Sequence, residues 1–187
     1  YRRINGFTLF GGDSSARPNS SNRILGLAVY ADGLIACSGT GIFFSQDGTS
    51  WLQINKASVS ASGDNFSTFS GRSNDARSSQ GQCSFALFEG TTDYGEMLIC
   101  DGANKPFFFK MTGTGALSDR TFFAGEITVD STTAPTVGVI HENHFVVGGA
   151  PTAKNKIFFS ATLDPESFSG TGSGSIQLTD AIVGLAS

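Results

Sequence analysis

The sequence predicts an all-β fold: a β-propeller-like array of four-stranded antiparallel blades, incomplete within these 187 residues. Three observations carry that expectation. Short apolar runs alternate with turns rich in Gly, Asp, Asn and Thr, the pattern of consecutive hairpins. The same grammar returns at intervals of 58, 54 and 46 residues, counted from Gly26 to Ser84, Gly138 and Gly184, a spacing that suits propeller blades. The composition, with 24 Gly and 17 Phe, offers almost no periodic segment able to sustain a helix beyond a turn or two.

In chain order, residues 1–23 read as an N-terminal strand and loop segment, with an Asn5-Gly6 turn between short aromatic runs. Residues 24–82 are blade 1, whose strands are expected at Leu25–Tyr30, Leu34–Cys37, Ile42–Ser45 and Ser50–Ile54. Gly39-Thr40-Gly41 and Asp47-Gly48 supply the turn residues that tolerate positive φ. Beyond Ile54 the blade makes a long polar excursion, anchored by Val59, Phe66 and Phe69. Blade 2 covers 83–134: SFALF from Ser84, an expanded turn TTDYGE, LICDG from Leu98, PFFFK from Pro106, and an outer strand within Thr121–Val129. Blade 3 covers 135–181: GVI from Gly138, FVVGG from Phe145, a turn at Pro151–Asn155, KIFFS from Lys156, a Gly/Ser loop, and Ile176–Leu178. Residues 182–187 read as the first strand of a further blade.

Matched letter by letter, the repeats align GLAVY with SFALF and GVI, IACSG with LICDG and FVVGG, and GIFFS with PFFFK and KIFFS. Three blades and a fragment should not close alone, because each blade needs a neighbour on both faces. The chain starts without an initiator Met and stops inside an apparent first strand, so it is expected to be part of a longer subunit or to be completed by partners.

Charge and cysteine usage narrow the function classes. Residues 1–30 carry Arg2, Arg3, Arg17 and Arg23 against Asp13, a balance of +3, and the remainder carries −7. An acidic body is a poor high-affinity nucleic-acid binder, since affinity comes largely from neutralising phosphates. The basic start reads as solvated arginines in a loop. Cys37, Cys83 and Cys100 have no CxxC or metal-type spacing and are odd in number, which suits buried free thiols rather than a disulfide scaffold or a zinc site. No apolar run approaches the length of a membrane-spanning helix, and the first residues do not resemble a signal peptide.

Three constellations could carry chemistry. Ser45–Trp51, SQDGTSW, resembles the Asp-box hairpin of sialidase-type propellers, tightened by one residue. Asp47 and Gly48 are expected to shape the turn and Trp51 to pack behind it, a structural role. If the indole is buried, Trp51→Ala is expected to cost roughly 3–5 kcal/mol, and Phe159→Ala likewise. His141-Glu142-Asn143-His144 is one residue short of HExxH and lies in a strand-turn-strand context, so it reads as a polar turn without a metal, and His141→Ala should be nearly neutral. The scattered acids Asp101, Asp119, Asp130, Asp164 and Glu166 fall mostly in turns, where Asp caps its own backbone. None of them pairs for glycoside hydrolysis. No nucleophile elbow, phosphate loop or dinucleotide fingerprint is present, so no catalytic, cofactor-binding or metal-binding residue is nominated.

The opening YRRINGF, the strand pair LGLAVYADGLIACSG, the segments FALFEG and LICDG, and above all FVVGGAPTAKNKIFFSATLDPESFSGTGSGSIQLTDAIVGLAS resemble tail proteins of short-tailed bacteriophages. These are the nozzle, or packaged-DNA stabilisation, proteins. The most specific element is the aromatic strand ending at Ser160, followed by Leu163-Asp164-Pro165-Glu166-Ser167-Phe168 and a Gly/Ser loop. The resemblance implies a non-enzymatic virion component, assembled in the host bacterial cytoplasm and placed in the tail. It implies a ring of copies, commonly six, between a portal-side adaptor and distal tail proteins, through which double-stranded DNA passes. It assigns no DNA-channel residue. A sialidase-like or glycan-binding propeller and a cellular scaffold propeller are the other readings; the second lacks WD or kelch signatures.

Overall fold

A computed structural model describes Pro18 and residues 22–54, 79–90, 94–130 and 134–186. The expected N-terminal strand with Arg2, Arg3 and Arg17, most of the polar excursion with Val59, Phe66 and Phe69, and the centre of the TTDYGE turn lie outside the described residues. Within them the protein is all-β, with helical geometry limited to one 3-10 turn at Leu117–Asp119.

Among the described residues twelve strands form three four-stranded antiparallel sheets, each a meander in sequence order. Sheet A holds β1 (Ile24–Tyr30), β2 (Gly33–Ser38), β3 (Gly41–Ser45) and β4 (Leu52–Gln53). Sheet B holds β5 (Ser84–Phe88), β6 (Glu96–Cys100), β7 (Phe107–Thr112) and β8 (Thr121–Glu126). Sheet C holds β9 (Val137–His141), β10 (His144–Gly148), β11 (Lys156–Phe159) and β12 (Gly174–Gln177). The expected outer strands are therefore trimmed to Leu52–Gln53 and Thr121–Glu126, and the last is displaced to Gly174–Gln177. Ile182–Ala186, expected as a further first strand, belongs to no ladder among the described residues. Ile182 instead donates its N–H to the Lys154 carbonyl at 2.7 Å, and its side chain covers Gly148.

The sheets stack face to face. One cluster joins A to B through Ile35, Cys37, Ile42 and Phe44 on one side and Met97, Ile99, Phe107 and Phe109 on the other. A second joins B to C through Leu98, Cys100 and Phe108 against Phe145, Val147 and Phe158. Calling the face toward the next sheet forward, the paired residues define one forward rung per sheet: Ala28–Ile35–Phe44–Leu52, Ala86–Leu98–Phe108–Gly125 and Val139–Val146–Phe159–Gly174. The adjacent rear rungs carry Phe43, Phe107 and Phe158. Neighbouring residues on a strand point to opposite faces, so each third strand presents phenylalanine on both of its faces, and β7 sends Phe107 and Phe109 toward sheet A and Phe108 toward sheet C.

This ladder corrects the letter-by-letter alignment. PFFFK must slide one residue against GIFFS so that Phe108 matches Phe44. GVI and FVVGG slide as well. Gly26 lies on the forward face of sheet A against the rear of sheet B, where a Cβ would lie 2.7 Å from Phe85 Cε2 and 2.8 Å from Cys83 Cβ, whereas Gly138 lies on the rear face of sheet C against the front of sheet B, where a Cβ would lie 3.1 Å from Cys100 Sγ. A one-residue slip exchanges the two faces of a strand, and matching letters cannot register it.

First strands bring consecutive sheets together: β1 neighbours β5, and β5 neighbours β9. The crossover before β5 is tied down by the Cys83 N–H donating to the Leu25 carbonyl at 3.0 Å, and that before β9 by the Ser84 hydroxyl donating to the Thr136 carbonyl at 3.1 Å. Tyr30 crosses the first interface completely. Its hydroxyl donates to the Gly95 carbonyl at 2.8 Å and accepts from the Met111 N–H at 3.3 Å, and its ring meets Phe109 edge-on at 5.4 Å. Burial pushes the Tyr30 phenol well above its ordinary pKa, so it serves as a neutral donor.

Phe108 is fully buried, but Phe159, on the forward face of the last described sheet, is half-buried. The cost of roughly 3–5 kcal/mol expected for Phe159→Ala is thereby revised downward. Chemical denaturation should show Phe108→Ala costing about 3–5 kcal/mol and Phe159→Ala clearly less; equal losses would show that the forward face of sheet C is covered. Tyr30→Phe, which strands the Gly95 carbonyl and the Met111 N–H, should cost about 1–3 kcal/mol by the same measurement.

Candidate functional site

The β3–β4 hairpin is built around Asp47. Its Oδ1 accepts from the N–H groups of Thr49 and Ser50, both at 2.7 Å, and from the Ser45 hydroxyl at 3.1 Å. The Ser45 hydroxyl in turn accepts from the Gly48 N–H at 2.9 Å. Gly48 has φ +71°, a conformation that costs a residue with a Cβ. The backbone donors hold the Asp47 carboxyl well below its ordinary pKa. All of its described partners belong to the turn itself, an arrangement that closes a hairpin rather than binding a substrate. Trp51 is half-buried, so the full-burial cost expected for its truncation falls to about 1–3 kcal/mol.

The His141–His144 segment is a two-residue hairpin turn. His141 and His144 are direct cross-strand partners, and Glu142 and Asn143 between them have φ of +44° and +65°, as tight hairpins demand. His144 is engaged at both nitrogens: Nδ1 donates to the Ser160 carbonyl at 2.6 Å, and Nε2 faces the Thr162 hydroxyl at 3.3 Å. His141 is exposed. Among the described residues no group of three or more His, Cys, Asp or Glu side chains converges as a metal site.

The scattered acids separate by role. Asp101 is buried and caps the β6–β7 connection, accepting from the N–H groups of Ala103 and Asn104 at 3.0 and 2.8 Å and from the Asn104 amide at 2.6 Å. Asn104 extends this by donating to the Ser79 carbonyl at 2.9 Å. Asp119 is exposed on the 3-10 turn, and Asp130 is half-buried near the end of sheet B. Asp164 and Glu166 line one open hollow with Thr128 and Phe168. Glu166 is committed there to Lys110, 2.7 Å away. These five acids do not meet at one centre.

Two charged clamps had no signal in the sequence. Across the A/B interface the buried Arg120 guanidinium grips Asp32 on the β1–β2 turn through both carboxylate oxygens, at 2.7 and 2.6 Å. It also donates to the Gly115 carbonyl at 2.8 Å and lies over the Tyr94 ring at 5.5 Å. Across the B/C interface Lys110 reaches Glu166, stands 3.9 Å from the buried Glu96 and covers the Phe108 ring at 5.0 Å. Both clamps sit at the end of the stack that carries the first-to-second and third-to-fourth strand turns. Their geometry fixes sheets against one another.

Compared with protein-family models, with curated proteins and with solved structures, the chain matches none.

The Arg120 hydrogen bonds, followed by that from Gln46, hold the Asp32 carboxyl well below its ordinary pKa. A lowered folded-state pKa gives stability that is complete above the unfolded value, about 4, and is lost as pH falls through the folded one. Asp32→Asn should therefore cost about 1–3 kcal/mol near neutral pH, a figure reduced because Asp32 is half exposed. The melting-temperature gap to the parent should narrow below about pH 4. A gap of the same size at pH 3 and pH 7 would remove the ionic contribution from the clamp. In a separate measurement, Asn143→Gly should stabilise the protein by up to about 1 kcal/mol by relieving the positive-φ backbone.

Proposed function

We propose that this chain is a structural part of a short-tailed bacteriophage tail, of the nozzle or packaged-DNA stabilisation type. In this reading the three sheets are consecutive blades of a propeller whose remaining blades lie outside these residues, in further chain or in partners. The observation that carries it is the coincidence of the resembling residues with one structural unit. The strand FVVGG, the aromatic strand ending at Ser160 and the Leu163–Phe168 turn fall together in sheet C and its connections. The turn is bonded back to the sheet through the Leu163 N–H, which donates to the Asn143 carbonyl at 2.9 Å.

The physics suits a conduit. An acidic body with net charge −4 weakly repels phosphates, so DNA held by a gate elsewhere can slide without being trapped by attractive contacts. The role is non-catalytic, with copies arranged in a ring between a portal-side adaptor and distal tail proteins. The Asp47 hairpin favours a second reading, a sialidase-like or glycan-binding propeller. Against it, Asp32, Asp47, Asp101 and Glu166 are engaged in turns and clamps.

Native mass measurement of the complete subunit, with and without a portal-side partner, tests the proposal. A ring-sized oligomer is the expected result. A persistent monomer that binds or cleaves glycans would replace the tail reading with the glycan one.

A further inference from the structure

Sheets A and C lie on opposite faces of sheet B, and the two cores that hold them there have no residue in common. The polar contacts from the two sides nevertheless arrive at the same end of one strand pair. In the β6–β7 ladder the last rung is Glu96 opposite Lys110. One step beyond it, where Gly95 and Met111 would face each other as the next rung, β6 has ended. The Tyr30 hydroxyl enters there from sheet A, donating to the Gly95 carbonyl at 2.8 Å and accepting from the Met111 N–H at 3.3 Å. A side chain of sheet A therefore ties β6 to β7 where their own ladder stops. The two groups it holds belong to the peptide units Gly95–Glu96 and Lys110–Met111, which are the backbone of the last rung itself.

That rung carries the clamp to sheet C. The Lys110 side chain is 16% exposed and that of Glu96 1%. The Lys110 ammonium stands over the Phe108 ring at 5.0 Å, on the face of β7 that meets sheet C. Two carboxylates share it: Glu96 across the rung at 3.9 Å, and Glu166 in the connection between β11 and β12 at 2.7 Å. A buried carboxylate draws strongly on a cation within its reach, so the place of the ammonium is a division between a partner inside sheet B and one beyond it. Because Glu96 and Lys110 are direct ladder partners, the backbone of the rung sets that division.

We propose that Tyr30 is a positioning residue for the B/C clamp: by fixing the two peptide units of the rung it holds the Lys110 ammonium at Glu166, so that seating sheet A on one face of sheet B tightens sheet C on the other. Without the hydroxyl the rung relaxes and the ammonium falls back toward Glu96. The coupling runs in both directions, since linkage between two sites is reciprocal. It is carried by contacts within the chain and is independent of the tail reading.

Amide hydrogen exchange of the 187-residue chain, read strand by strand and corrected for each variant's loss of global stability, tests the relay. Tyr30→Phe removes the hydroxyl. Ile42→Val loosens the same A/B core at the end of sheet A away from the Tyr30–Gly33 pair. Tyr30→Phe is expected to speed exchange in β9 and β10 about 3- to 10-fold more than Ile42→Val does. In a Glu166→Gln background, where the ion pair is already removed, Tyr30→Phe should add nothing further in sheet C. Equal acceleration by Tyr30→Phe and Ile42→Val, or the full Tyr30→Phe effect surviving in the Glu166→Gln protein, overturns the proposal. Glu166→Gln alone gives the reverse reading even where Tyr30→Phe fails to fold. Exchange at the Met111 amide and in β1 should rise by a similar factor, and unchanged exchange at both overturns the relay.

Discussion

A sheet that is apolar on both faces cannot be stable alone, and this constraint governs the rest of the molecule. The adjacent phenylalanines of each third strand express it most directly: Phe43 and Phe44, Phe107 and Phe108, Phe158 and Phe159 point alternately backward and forward. A surface strand would alternate apolar with polar residues. Two large aromatics in succession commit a strand to a neighbour on each side, so the fold grows by stacking, and each sheet derives its stability from the ones it touches.

Stacking by aromatic contact alone would leave sliding and rotation poorly specified, because dispersion and area burial are weakly directional. The polar contacts supply direction. Tyr30 fixes sheet A to two backbone groups of sheet B, Arg120 fixes the same pair through a bidentate grip on Asp32, and Lys110 fixes B to C through Glu166. A guanidinium or an ammonium placed beside an aromatic ring, as both clamps are, keeps part of its favourable environment when water is excluded.

Much of this was legible in the sequence, and the reason is local. Strands separated by tight turns announce themselves through Gly39, Gly48 and the residues around them, so the twelve-strand order could be read to within a few residues. Cross-strand facing was not legible, because a repeat compared by letters does not reveal a one-residue shift in hairpin register, and the third-strand match of Pro106–Lys110 and the first two strands of sheet C all carry such a shift. The clamps were invisible for a different reason. Asp32 and Arg120 lie far apart in the chain and belong to different sheets, so neither has a periodic or motif context. Trp51 was read as a core residue from its place behind an Asp-Gly turn, but the two-residue β4 leaves that end of the hairpin half open. The segment at Ile182–Ala186 was apolar enough to read as a strand, yet a ladder needs a partner of matching length.

The three cysteines give the architecture a built-in readout. Cys37 and Cys83 are buried in the A/B interface and Cys100 in the B/C interface, none of them in a disulfide, and burial raises the Cys100 pKa further from the reactive thiolate. A thiol reagent can reach each of them only after the sheets that enclose it have parted. Their labelling rates therefore report, at native side chains, how often each pair of sheets opens along the stack.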